Sequence, residues 1–171
     1  MARQPDLDAI LRRLSSFDLS CCKAISIAGG EPLLYINEIK EIYAFIQSCS
    51  HQNVKIDFYT NGILIDKLKA LSADISNLQV TVSINMPATY SNVNQYNDIL
   101  KNLKAYSKKY IHGIALTLFT VYPFEMLEEY FDKLKQHTDL NVLVVNVNKL
   151  KTADNIDDWF NMLKSIARIS K

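Results

Sequence analysis

The residues best placed to do chemistry lie in one stretch of this 171-residue chain, Lys23-Ala-Ile-Ser-Ile-Ala-Gly-Gly-Glu-Pro-Leu-Leu34. A short β-branched run, Ile25-Ser26-Ile27, is stopped by Gly29-Gly30, then by the acid Glu31 and by Pro32. Two glycines at a strand end permit positive φ and let the backbone approach a ligand that any Cβ would obstruct. Pro32 carries the φ of a first helical turn and has no N–H to leave unpaired there. The stretch therefore reads as strand, tight turn and helix, with Glu31 held at the carboxyl end of the strand, the edge where α/β folds bind ligands. An ordinary βα turn that contains an acid fits the same four residues.

Other reactive side chains form no constellation. The three cysteines, Cys21, Cys22 and Cys49, are odd in number and lack framework spacing, so structural disulfides are not expected. They read as buried or partly buried thiols. His51 and His137 fall at expected helix ends, and His112 precedes Gly113, which reads as a helix stop. No Ser-His-Asp set, phosphate loop or paired-carboxylate constellation stands out, so neither a catalytic residue nor a metal site is nominated from these side chains.

The elements that must position the turn alternate strictly. An amphipathic helix over Pro5 to Phe17 places Asp6 and Asp8 at its N-terminal end and Leu7, Ile10, Leu11 and Leu14 at helical spacing. After the strand at 23–28, Ile36, Ile39, Tyr43 and Ile46 repeat with a helical period to about residue 50. Val54 to Tyr59 reads as a strand closed by Thr60-Asn61-Gly62, and a short helix follows over 64–72. Leu78 to Ile84 is a strand ended by Asn85-Met-Pro87. A long helix carries Val93, Tyr96, Ile99, Leu100, Leu103, Tyr106 and Tyr110, and Ile114 to Val121 is the next strand. Pro123 starts a helix with Leu127, Tyr130, Phe131 and Leu134 on one face. Val142 to Val147 is the last strand, and Asp154 or Asn155 caps a helix bearing Trp159, Phe160, Leu163 and Ile166. The order α(βα)5 with short connections predicts an α/β fold with a parallel sheet, in a single domain over 1–171.

Parallel strands covered on both faces should be apolar throughout. Here one face is apolar (Ile25, Ile27; Val54, Ile56, Phe58; Val80, Val82, Ile84) and the other polar (Ser26; Lys55, Asp57, Tyr59; Thr81, Ser83, Asn85). Asn146 and Asn148 share a face of the last strand. Because side chains alternate along a strand, the polar groups converge on one side of the sheet, the concave side of a partial or full barrel if the apolar side packs on helices. Such a lining suits a polar ligand, or an interior satisfied by its own hydrogen bonds and water.

Composition excludes several partners. Hydrophobic residues make up 49% and charged residues 22%, ordinary for a globular protein. A net charge of +1 gives no footprint for nucleic acid or an anionic membrane. The polar start has no signal-peptide core, and the apolar stretch Ile114 to Phe124 is too short to span a bilayer. A soluble, cytoplasmic protein is expected.

Gly29-Gly30-Glu31-Pro32-Leu33-Leu34, then Thr60-Asn61-Gly62, then Ser83-Ile84-Asn85, each at a strand end, resembles the radical S-adenosylmethionine (radical SAM) superfamily. The likeness is nearest in look to its peptide-modifying and sulfatase-maturing branches, and covers nearly the whole chain. It implies a partial (β/α) barrel, here with about five strands and the family's first strand missing. It implies that Gly29, Gly30 and Glu31, in the motif closed by Pro32, hold the methionine amino group of S-adenosylmethionine through backbone carbonyls and the carboxylate. Ser83 and Asn85 would reach the ribose hydroxyls; the family often has Asp at the latter place. Ile114 and Val147 would flank the adenine, with Thr60 and Asn61 in support. The family's CxxxCxxC loop, which ligates a [4Fe–4S] cluster, should precede the first helix, yet this chain begins almost at that helix. Cys21 and Cys22 are adjacent and precede a strand of about six residues at ~3.3 Å each, which puts them ~20 Å from Gly29.

The resemblance therefore implies a truncated or degenerate radical-SAM-type domain with an S-adenosylmethionine site, no cluster of its own, and no complete catalysis alone. A rival expectation is a non-catalytic homologue that takes a peptide or a second copy along the exposed Lys23–Ala28 edge. A third is an unrelated α/β enzyme.

Overall fold

The computed structural model describes residues 5–138, 143–147 and 156–169, with backbone alone for 107–110 and 147. The strands form one sheet in the sequential order β1-β2-β3-β4-β5, the α/β partial barrel of five parallel strands that the alternation predicts. The chain divides into two compact units, Met1–Val80 and Thr81–Lys171, and the division falls inside β3.

In the first unit, α1 (Leu7–Leu14) starts where the Asp6 carboxylate accepts the Ala9 N–H at 2.9 Å. Its stripe Leu7, Ile10, Leu11 and Leu14 is half-buried throughout. β1 (Ala24–Ile27) leads through a 3-10 turn, Pro32–Leu34, into α2 (Ile36–Cys49). Pro32 does open a helical turn, but Tyr35 interrupts it, so the segment is a short turn followed by a separate helix. β2 (Lys55–Thr60), a 3-10 turn at Ile65–Lys67, α3 (Leu68–Ser72) and β3 (Leu78–Ser83) follow. β1 and β2 pair in parallel, Ala24 opposite Lys55 and Ile27 opposite Phe58. Ile56, Phe58, Val80 and Val82 are buried while Lys55, Asp57, Tyr59, Thr81 and Ser83 are half-exposed, as the alternation predicts. The core includes Leu33, Ile39, Ile46, Val54, Ile56, Phe58, Ile65, Leu68 and Leu71. Each such side chain contributes roughly 1.5–3 kcal/mol of transfer free energy. The Gln47 carboxamide spans the α2–β2 loop, accepting the Val54 N–H at 2.9 Å and donating to Gln52 O at 2.8 Å.

The second unit holds α4 (Val93–Tyr110), β4 (Ile111–Leu118), α5 (Phe124–Lys135), β5 (Leu143–Val147) and α6 (Ile156–Ile169). β4 and β5 are parallel, from Ile114 opposite Leu143 to Leu118 opposite Val147. Three expectations are corrected. Gly113 is not a helix stop: α4 passes directly into β4, which begins at Ile111 and ends at Leu118, and Gly113 is buried inside the strand. His112 is accordingly a strand residue. Val93 and Phe160 point outward, 67% and 59% exposed, and Trp159, Met162 and Ile166 form the inner stripe of α6. The predicted cap at Asp154 or Asn155, and Asn148, lie outside the described residues; Asn146 is exposed.

Candidate functional site

The glycine pair has the backbone that the sequence demands. Gly29 has φ +94° and Gly30 φ +60°, in the left-handed region that L side chains rarely adopt. A Cβ built at either would meet nothing within 4 Å, so the space above the turn is open. Glu31 follows in extended conformation and caps the 3-10 turn, its Oε1 accepting the Leu33 N–H at 3.1 Å.

The same carboxylate ties this turn to the end of β2. Oε1 accepts the Thr60 hydroxyl at 2.8 Å and Oε2 accepts the Asn61 N–H at 2.9 Å. Thr60, 2% exposed, also accepts the Gly62 N–H on its Oγ1 at 3.2 Å. Asn61 Oδ1 accepts the Ile63 N–H at 3.0 Å, and Gly62 takes φ +79°. Thr60-Asn61-Gly62 is thus a turn, as predicted, locked by Glu31. An ionised carboxylate offers about four acceptor positions. Among the described residues three donors occupy them, which leaves one position on Oε2 for a further donor. Sequence reasoning placed Thr60 and Asn61 in support without finding this link. Its signal was available: Thr60 shares the buried parity of Ile56 and Phe58, where a hydroxyl needs a partner.

In the second unit, Ser83 ends β3 and is half-exposed. Asn85 turns its Oδ1 to the Thr117 N–H at 3.1 Å, leaving its Nδ2 as a donor. Ile114, 1% exposed, sits at the fourth position of β4 rather than at its carboxyl end, and Val147 is the last residue of β5. A cavity of about 430 Å³ lies between α4 and α5, lined by Tyr96, Leu100, Lys101 and His137, none of them a nominated residue.

The cysteines do not approach the turn. Cys21 and Cys22 precede β1 at its amino end, and Cys49 is the last residue of α2. Cys22 is half-buried as expected, but Cys21 and Cys49 are exposed, which corrects their reading as buried thiols. Among the described residues, no three His, Cys, Asp or Glu side chains converge as a metal site. His51 follows α2, donating its N–H to Ser20 O at 2.9 Å, and His137 Nδ1 lies 2.8 Å from Lys133 O. Asp18 has its carboxyl held below the usual range, chiefly by the Ser20 hydroxyl and N–H.

An α/β sheet of sequential parallel strands, with a glycine–acid turn at the carboxyl end of the first, places the chain in the class of α/β partial barrels. Within that class the chain matches the Radical SAM superfamily over residues 1–137, most of its length, and it belongs to that superfamily. No curated protein matches the chain. Members of the superfamily use S-adenosylmethionine and a [4Fe–4S] cluster. The open positive-φ glycines and the spare acceptor of Glu31 fit the ammonium end of S-adenosylmethionine. The cluster fits poorly: such clusters need convergent thiolates, and these three cysteines stand at the far end of β1 or on a helix terminus.

Proposed function

We propose that this chain is a radical-SAM-type domain over 1–171 that binds S-adenosylmethionine and is catalytically incomplete by itself, because its own thiols cannot hold the cluster. The observation that carries the proposal is the Gly29-Gly30-Glu31 turn, with open space above both glycines and an acceptor left on the acid. Backbone carbonyls and the Glu31 carboxylate bind the methionine ammonium, with Pro32 closing the turn and Thr60 and Asn61 holding the acid. Ser83 and Asn85 serve the ribose, and Ile114 and Val147 belong to the strands on the adenine side. The chemistry the cofactor pair supplies in the superfamily is radical generation; these residues bind and orient the nucleoside component. The peptide-modifying or sulfatase-maturing likeness and a cytoplasmic setting are part of the same reading.

Calorimetric titration of S-adenosylmethionine tests it. The expected dissociation constant is below about 1 mM, roughly −4 kcal/mol or stronger, weakened at least tenfold in Glu31→Ala and in Gly30→Ala. Binding weaker than millimolar in the wild type removes the site.

A second reading is a non-catalytic homologue that recruits a partner along β1. The observation favouring it is that β1 ends the sheet, paired with β2 alone among the described residues.

A further inference from the structure

The peptide that joins Ile84 to Asn85 is held at both of its polar groups by tyrosine hydroxyls. The Asn85 N–H donates to Tyr90 Oη at 3.0 Å, and Tyr130 Oη donates to Ile84 O at 2.7 Å. One residue earlier the strand is still in register with β4, for the Ile84 N–H donates to Ala115 O at 2.8 Å. At Asn85 the backbone has turned away, and the ladder is continued by a side chain: Asn85 Oδ1 takes the Thr117 N–H at 3.1 Å. A buried peptide that leaves a sheet must find other partners for its N–H and C=O. Here both are supplied by phenols, one accepting and one donating.

We infer that Tyr90 and Tyr130 are positioning residues that fix the Ile84–Asn85 peptide, so that the Asn85 carboxamide caps β4 with its oxygen and presents Nδ2 as a rigid donor. The ligand group opposite it must be an acceptor, such as a hydroxyl or carboxylate oxygen. An aspartate would keep the bond to the Thr117 N–H and present an acceptor instead, reversing the polarity of recognition. Tyr130 is 1% exposed and packs edge-to-face on Phe131 at 5.2 Å, so its hydroxyl has little freedom to leave Ile84. Tyr90 stands 5.6 Å from the Tyr96 ring. Burial raises the pKa of both phenols, which remain protonated at neutral pH.

The ligand half of this assignment rests on the S-adenosylmethionine reading above; the positioning half does not. Amide hydrogen exchange on the full chain separates them. Tyr90→Phe should speed exchange at Asn85 by about tenfold, the worth of one hydrogen bond, and Tyr130→Phe should shift the Asn85 amide resonance. Asn85→Asp should preserve protection at Thr117, and Asn85→Ala should abolish it. Unchanged exchange at Asn85 in Tyr90→Phe, or at Thr117 in Asn85→Ala, overturns the positioning. In calorimetry Tyr90→Phe should bind S-adenosylmethionine at least fivefold more weakly than wild type without a matching fall in thermal midpoint. Equal affinity overturns the ligand half. A wild type that does not bind overturns the site reading and the ligand half with it, while the exchange results still decide the positioning.

Discussion

Glu31 shows how one side chain can be read correctly in kind and incompletely in role. Its acid and the two preceding glycines are legible because adjacent residues of those types imply a strained turn with an acceptor. Its partners Thr60 and Asn61 lie some thirty positions away, and only the fold brings them within 2.9 Å. The tyrosines are the opposite case. Tyr130 reads as one more apolar position on a helix face, and nothing local announces that its hydroxyl serves Ile84. Tyr96 is the sharpest instance: it is 3% exposed and its Oη has no hydrogen-bond partner among the described residues. Burial, reinforced by Tyr90 and Glu129, pushes its pKa up to about 12. The unfolded chain releases this proton from about pH 10 and the folded one only near 12. Stability from this group is therefore intact below pH 10 and falls as pH rises from 10 towards 12. Tyr96→Phe, which deletes an unpaired buried hydroxyl, should leave neutral-pH stability unchanged or raise it by about 1 kcal/mol, and should flatten that alkaline decline. Urea titrations at pH 7 and pH 11 check both; a loss of more than about 1 kcal/mol at pH 7 would show that the hydroxyl has a partner.

Elements were legible where periodicity was unmixed. The alternation in β2 and β3 predicted which side chains are buried, because successive side chains of a strand point to opposite faces of the sheet. The α4–β4 junction was misread because glycine is both the commonest helix terminator and a tolerated strand residue. Ile111, buried ahead of Gly113, shows that strand packing begins earlier. β1 has its own consequence. The ladder starts with the Lys55 N–H on Lys23 O at 2.9 Å, so by alternation the N–H and C=O of Ala24 and Ser26 face the open edge. Ser26→Pro would delete one outward donor and leave the β2 ladder intact. If β1 recruits a second copy, sedimentation should show the wild type above monomer mass and Ser26→Pro as a folded monomer. Identical masses would count against pairing along this edge.

For the molecule as a whole, family membership rests on the sequence match over residues 1–137 and the α/β partial barrel on the sequential strand order. No helix among the described residues is long and apolar enough to cross a membrane. Taken separately, and among the described residues, the first unit has a strand-end acceptor position left on Glu31 and the second a strand-end donor on Asn85 Nδ2. Neither arrangement uses the cysteines. Amide chemical-shift mapping during titration with S-adenosylmethionine tests the central claim most directly. Saturable shifts are expected at Gly29, Gly30 and Asn61, with the amides around Cys21, Cys22 and Cys49 unmoved. Shifts confined to other residues, or none at millimolar ligand, would contradict it.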